Sequence, residues 1–135
     1  MDRFLNQARH NEEFHNCICE NFEGKFYDWR ITSLFYCALH YLKSLALKKG
    51  IDIGQTHFEI EQNVNPDRHK PLMRVTKSAW SEYKKLLQYS RSSRYDGINT
   101  DFETFELLMK TDYEYCVKHL DNFKKYIKGQ GLEIE

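Results

Sequence analysis

The sequence predicts an all-α fold: an up-and-down bundle of four long helices plus one short helix. Three observations carry this. The stretch from Asp28 to Leu47 holds no Pro or Gly, and Leu34, Ala38, Leu42 and Leu45 recur at spacings of four, four and three. Two further stretches begin on helix-capping patterns, Thr56 with Glu59 and Thr100 with Glu103. No run alternates apolar and polar residues as a strand would.

A first helix is read from about Asp2 to Phe22, with Phe4, Leu5, Ala8, Phe14, Cys17 and Ile18 as its apolar stripe. Gly24 marks the break after it. The stretch 28–47 is the central helix. Phe35, Leu39 and Ala46 widen its stripe, and Tyr36, Cys37 and Tyr41 extend apolar character to its flanks, so it is covered on most sides. Asp28 suits the positive end of its dipole and Lys48 and Lys49 the negative end, and Gly50 is a natural stop. Thr56 caps a short helix running to about Val64. Asn65-Pro66-Asp67 and Lys70-Pro71 then enforce a loop over residues 65–75.

The next helix runs from about Thr76 to Arg94 on the stripe Trp80, Tyr83, Leu86, Leu87 and Ser90, and Asp96-Gly97 turns the chain. Thr100 opens the last helix, whose inward positions are Phe102, Phe105, Met109, Cys116, Leu120, Phe123 and Ile127. The tail from Leu132 to Glu135 is expected to fray.

The chain's 135 residues make one domain, residues 1–135 with a core of about 2–128, large enough for a substantial core. Twenty basic and twenty acidic side chains cancel, so a nucleic-acid site would have to be a local patch. Arg30, His40 and Lys43 interrupt the central stretch, so it is not a membrane span. No signal peptide is read, and the expected location is cytoplasmic. Cys17, Cys19, Cys37 and Cys116 are expected to be free buried thiols, because neither CxxC pairs nor Cys/His ligand spacing is present; no metal or cofactor is expected. Gly-rich phosphate loops, Gly-x-Ser-x-Gly elbows and His-Glu-x-x-His helices are also missing from the sequence.

The central helix, with Asp28-Trp29 and then Leu34-Phe35-Tyr36-Cys37-Ala38-Leu39-His40, is followed by Gly54-Gln55-Thr56-His57. After that comes Tyr83-Lys84-Lys85-Leu86-Leu87-Gln88-Tyr89-Ser90-Arg91-Ser92-Ser93-Arg94-Tyr95-Asp96. In this order and spacing the chain resembles small prokaryotic members of the HEPN superfamily (higher eukaryotes and prokaryotes nucleotide-binding) over roughly residues 5–127. The resemblance implies a helical bundle, often a homodimer, working beside nucleotidyltransferases or in defence and toxin–antitoxin systems. Some such proteins cut RNA without metal through an Arg-x4–6-His motif near the start of the last helix, where the His does acid/base work and the Arg stabilises phosphate charge. Here no suitably spaced His follows Arg94. The formal matches, Arg3 with His10 and Arg9 with His15, fall on the first helix, and Phe4 stands where a polar residue belongs. No catalytic residue is therefore assigned.

Seven residues are the candidate ligand site: Arg30, His40, His57, Arg91, Arg94, Tyr95 and Asp96. Arg30 is either a buried charge paired with an acidic neighbour or a phosphate-facing group between helices. His40 is either a hydrogen-bonded core residue or part of the same pocket. His57 is either a capping residue or a site residue. Arg91 and Arg94 suit a helix C-terminus regardless of function, and with Tyr95 they also make a phosphate or base-stacking group. The expected role is a non-catalytic module that associates with nucleotide or RNA, or with a partner protein, as a homodimer. The rivals are a divergent metal-independent ribonuclease using His57 or His40 with Arg91 or Arg94, and a pure interaction scaffold.

Overall fold

Asp2 starts the first helix. Its carboxylate accepts the Phe4 and Leu5 amides, each at 3.0 Å, and also takes the Ser44 hydroxyl from the neighbouring helix. The computed structural model describes residues 2–95 and 101–134, Tyr95 in its backbone alone. Asp96, the Asp96-Gly97 turn and Thr100 lie outside the described residues. Among those described, the regular structure is five helices: α1 (Arg3–Asn21), α2 (Tyr27–Lys48), α3 (His57–Val64), α4 (Lys77–Tyr95) and α5 (Phe102–Gly129). The all-α bundle of four long helices and one short one is therefore what the chain forms.

The turn from α1 to α2 carries strain. Gly24 takes φ +72° easily, but Phe26 sits at φ 60°, a left-handed conformation that side chains resist. Phe26 caps α2 without a side-chain bond. What holds the turn is Arg30, one turn into α2 and 6% exposed. Its Nη2 donates to the Phe22 carbonyl at 2.9 Å and its Nε to the Lys25 carbonyl at 3.1 Å. The guanidinium also lies over the Tyr27 and Tyr113 rings, 4.7 and 5.4 Å from their centroids.

Helix α2 packs against α1, α4 and α5. From Arg30 to Ala46 every residue is buried except Tyr36, His40 and Lys43. Phe35 of α2, Tyr83 of α4 and Phe123 of α5 meet in the core, with Tyr83 ring centroids 5.8 Å from Phe35 and 5.9 Å from Phe123.

The capping box at α3 is complete: the Glu59 amide donates to Thr56 Oγ1 at 3.1 Å and the Thr56 amide to Glu59 Oε1 at 3.3 Å. Gly54 stands before it at φ +102°, where an added Cβ would come within 2.5 Å of Glu59 Cβ. The following loop is anchored by buried Met73 and Val75, with the Met73 amide on the Asn63 carbonyl at 2.9 Å. In α4 the expected stripe Trp80, Tyr83, Leu86, Leu87 and Ser90 is buried.

Two expectations about the last helix are corrected. Its cap is Asp101, which accepts the Thr104 amide at 3.0 Å, so the helix begins one residue later than a Thr100 cap requires. Phe102 is then the first helical residue and 75% exposed, while Phe105, Met109, Cys116, Leu120, Phe123 and Ile127 face inward as expected. Residues 132–134 of the tail are held rather than frayed: Leu132 and Ile134 are each 8% exposed and belong to the core, while Glu135 lies outside the described residues. The Lys48 ammonium holds the Gly131 carbonyl beside them.

Candidate functional site

The opening in the cover of α2 defines where a ligand could approach. Tyr36, His40 and Lys43 are spaced four and three apart, so they form one strip along the helix. The Arg94 guanidinium of α4 lies 6.0 Å from the Tyr36 ring centroid. His40 Nδ1 lies 2.8 Å from the Tyr36 carbonyl and 3.3 Å from the Asn11 side-chain amide of α1. The carbonyl requires a proton on Nδ1. Burial lowers the His40 pKa from its ordinary 6.5; the bond to Tyr36 opposes this and Lys43 adds to it.

Beside this strip is a cleft of ≈ 220 Å3, lined by His57 and Glu61 of α3 and by Trp80, Tyr83, Lys84 and Arg91 of α4, among others. The capping box fixes His57 as the first residue of α3, and its ring rests on Phe35, 5.7 Å between centroids. Positions 80, 83, 84, 87 and 91 share one face of α4, which puts Arg91 at one end of the cleft wall.

Behind the lining, His57 Nδ1 and Tyr83 Oη are buried from solvent without a hydrogen-bond partner. Such orphans are uncommon in folded proteins. The field around them is positive. The His57 pKa is lowered first by burial and then by Arg91, Arg94, Lys43 and Lys84, so the ring is neutral at pH 7. Burial pushes the Tyr83 phenol up, with Arg91 opposing. The cleft's acid, Glu61, is spoken for: Arg68 Nη2 holds it at 3.1 Å, which brings its carboxyl below the usual range, and Lys84 lies 3.9 Å away. A guanidinium and an ammonium on α4, facing a neutral imidazole on α3, suit an anion.

The seven candidates are thus divided. His57 and Arg91 share the cleft. Arg94 borders the next opening with Asp28, Trp29, Thr32 and Ser93 and donates to Ser90 Oγ at 2.6 Å, while its charge still bears on His57. His40 lies on the α2 strip. Arg30 is turned away, and the acidic neighbour expected for it is replaced by two backbone carbonyls and two aromatic faces. The Tyr95 side chain and Asp96 fall outside the described residues.

Sequence reasoning missed Tyr83, taken only as core, and also Tyr36, Lys43 and Lys84. A signal existed for part of this: Tyr36, His40 and Lys43 put polar atoms at helical spacing into the most apolar stretch of the chain.

The formal Arg/His matches are both carried by α1. Arg3 lies over the Phe4 ring at 4.7 Å. Arg9 lines a ≈ 490 Å3 cleft with Glu12, Glu13 and Glu20, whereas His15 lines a different opening against α5. The expectation of four buried thiols is corrected as well: Cys37 and Cys116 are buried, but Cys17 is exposed and Cys19 half-buried. Among the described residues no three His, Cys, Asp or Glu side chains gather so as to hold a metal ion, and no helix is long and apolar enough to cross a membrane.

No curated protein and no solved structure matches the chain. A family model described as HEPN domain matches residues 2–130.

Proposed function

Since the chain belongs to the HEPN domain family, we propose that it is a HEPN module that associates with nucleotide or RNA through the cleft between α3 and α4, whose cations come from α4. The observation that carries this reading is the cleft between α3 and α4, where Arg91 and Lys84 stand with His57 around a lining that includes Trp80 and Phe58. A phosphate placed against Arg91 and Lys84 meets a positive field that the neutral whole chain conceals. A base could stack on Trp80 or Phe58, the flat apolar residues of the lining. The module works without catalysis of its own, because the family's Arg-x4–6-His arrangement is missing from its expected place in the sequence.

The test is a titration of the protein with nucleoside phosphates and short RNA, repeated on Arg91→Ala and Lys84→Ala. Binding weakened roughly tenfold by each change, and further weakened by salt, is the expected result. Parent protein that binds neither ligand, or variants that bind as the parent does, would end the proposal.

One observation favours the ribonuclease reading as a second choice: His57 is neutral and within the field of Arg91, as a general base beside a phosphate-binding cation would be. RNA cleavage in the presence of chelator, lost in His57→Ala, would establish it over the first.

The same proposal includes a second copy of the chain as partner, in a defence or toxin–antitoxin type setting. Phe102, Leu107, Leu108 and Tyr115 of α5 are each at least half exposed, an apolar surface of the kind that partners cover. Light scattering that gives the mass of one chain at micromolar concentration would rule out the dimer.

A further inference from the structure

A second cluster, remote from α3 and independent of the reading above, joins α1, α2 and α5. His15 and Cys19 lie one turn apart on α1. His15 Nδ1 is 3.1 Å from Asn16 Oδ1, which accepts only if Nδ1 carries the proton. That tautomer leaves Nε2 as a bare acceptor. Nε2 lies 2.8 Å from the Tyr113 hydroxyl and 3.7 Å from Cys19 Sγ, and the thiol and phenol are 3.6 Å apart. The Arg30 guanidinium lies 5.4 Å over the Tyr113 ring. A thiol, a base within reach of it, an amide that orients the base, and a fixed cation nearby are the parts of an activated nucleophile.

We propose that Cys19 is a reactive thiol, deprotonated by His15, at which this chain accepts a small disulfide. The Cys19 thiol passes its proton to His15 Nε2, directly or through the Tyr113 hydroxyl, and its sulfur attacks one sulfur of the disulfide. The disulfide's S–S bond breaks, a mixed disulfide forms on Cys19, and the departing thiolate takes the proton back from His15. Cys19 is oxidised and half of the small disulfide is reduced, so no other co-reactant is required.

The groups facing the cluster agree with this. Burial acts first and lowers the His15 pKa from 6.5; the bond to Asn16 on α1 opposes this, Arg30 of α2 adds to it and Glu12 of α1 opposes it, so the imidazole is free to accept a proton at neutral pH. On α5, the Tyr113 phenol is pushed up to about 12, chiefly by burial, so it stays protonated and able to relay a proton.

The protein contains its own controls. Cys17 is on the same helix and more exposed than Cys19, but it lies on a different face, against Arg9 and Glu13. Cys37 and Cys116 are fully buried. Exposure alone therefore ranks Cys17 first, and the cluster ranks Cys19 first. The experiment treats the protein at pH 7.5 with bis(2-hydroxyethyl) disulfide, which is uncharged and so is not steered by local fields. Mixed disulfides are then located by fragmentation mass spectrometry over time. Cys19 should react about tenfold faster than Cys17, while Cys37 and Cys116 remain thiols and report that the fold is intact. His15→Ala should bring Cys19 down to the rate of Cys17. Asn16→Ala, which keeps the base but frees it to turn, should give an intermediate rate. A Cys17 that reacts as fast as Cys19 overturns the proposal. So does an unchanged ratio in His15→Ala or, should that variant expose the buried cysteines, in Asn16→Ala.

Discussion

Replacing Arg30 by Met separates a structural guanidinium from a ligand-binding one. In the structure Arg30 makes two charge-assisted bonds to the Phe22 and Lys25 carbonyls and lies over two aromatic faces. Bonds of that kind contribute about 1.5–3 kcal/mol each, and each aromatic face about 0.5–1 kcal/mol. Against this, Met removes a charge whose burial costs several kcal/mol. The carbonyls it leaves belong to exposed turn residues that water can reach. The net loss is about 3 kcal/mol. Unfolding entropy of about 2.1 cal/mol/K per residue converts that to a fall in Tm of about 10 °C for a chain of this length. Arg30→Lys should lose about half as much, because an ammonium cannot span both carbonyls as the fork does. Thermal unfolding by circular dichroism measures the shift, and a nucleotide titration below the transition measures binding. A fall in Tm of less than 2 °C, or lost binding with Tm unchanged, would refute the reasoning and make Arg30 a ligand contact.

Stability should fall as pH drops from 7.5 to 5.5. His15, His40 and His57 all have folded pKa values below 6.5, so the unfolded chain binds protons more readily; their contribution is full above 6.5 and is lost below it. Urea midpoints across that range should decline, and His57→Gln should flatten the decline; a rise instead would reverse the assignment. Deleting residues 132–135 should cost about 2–4 kcal/mol, since two buried apolar side chains leave the core, and an unchanged urea midpoint would show that the tail is loose. Gly54→Ala should cost about 1–3 kcal/mol through its backbone conformation and the approach to Glu59, more than the ~1 kcal/mol expected of Thr56→Ala; equal effects would mean that the strain is relieved elsewhere.

The helices were legible because each announces itself locally. The spacing of Leu34, Ala38, Leu42 and Leu45 located α2, and Thr56 with Glu59 located α3. The errors came where local patterns compete. Thr100-x-x-Glu103 and Asp101-x-x-Thr104 are adjacent candidates, and it is the Asp101 carboxylate that takes the Thr104 amide. Leu132 and Ile134 follow two glycines and look like a loose end, yet the core has room for both.

The candidate site was legible only in part, because His57 and Arg91 are 34 positions apart and meet only through the way α3 lies against α4. Tyr83 was visible as a core residue, but that its hydroxyl lacks a partner is a property of the assembled bundle. The thiol cluster was hidden for the same reason: Tyr113 lies on α5, far from His15 and Cys19 in the chain.

The enclosure of α2 limits how this protein can change over generations. Most replacements between Arg30 and Ala46 would disturb three neighbouring helices at once, so drift there is held in check. Positions 36, 40 and 43, only partly buried, are held less tightly. Divergence among descendants should collect on this narrow ribbon, and new ligand preferences would be acquired there without rebuilding the scaffold.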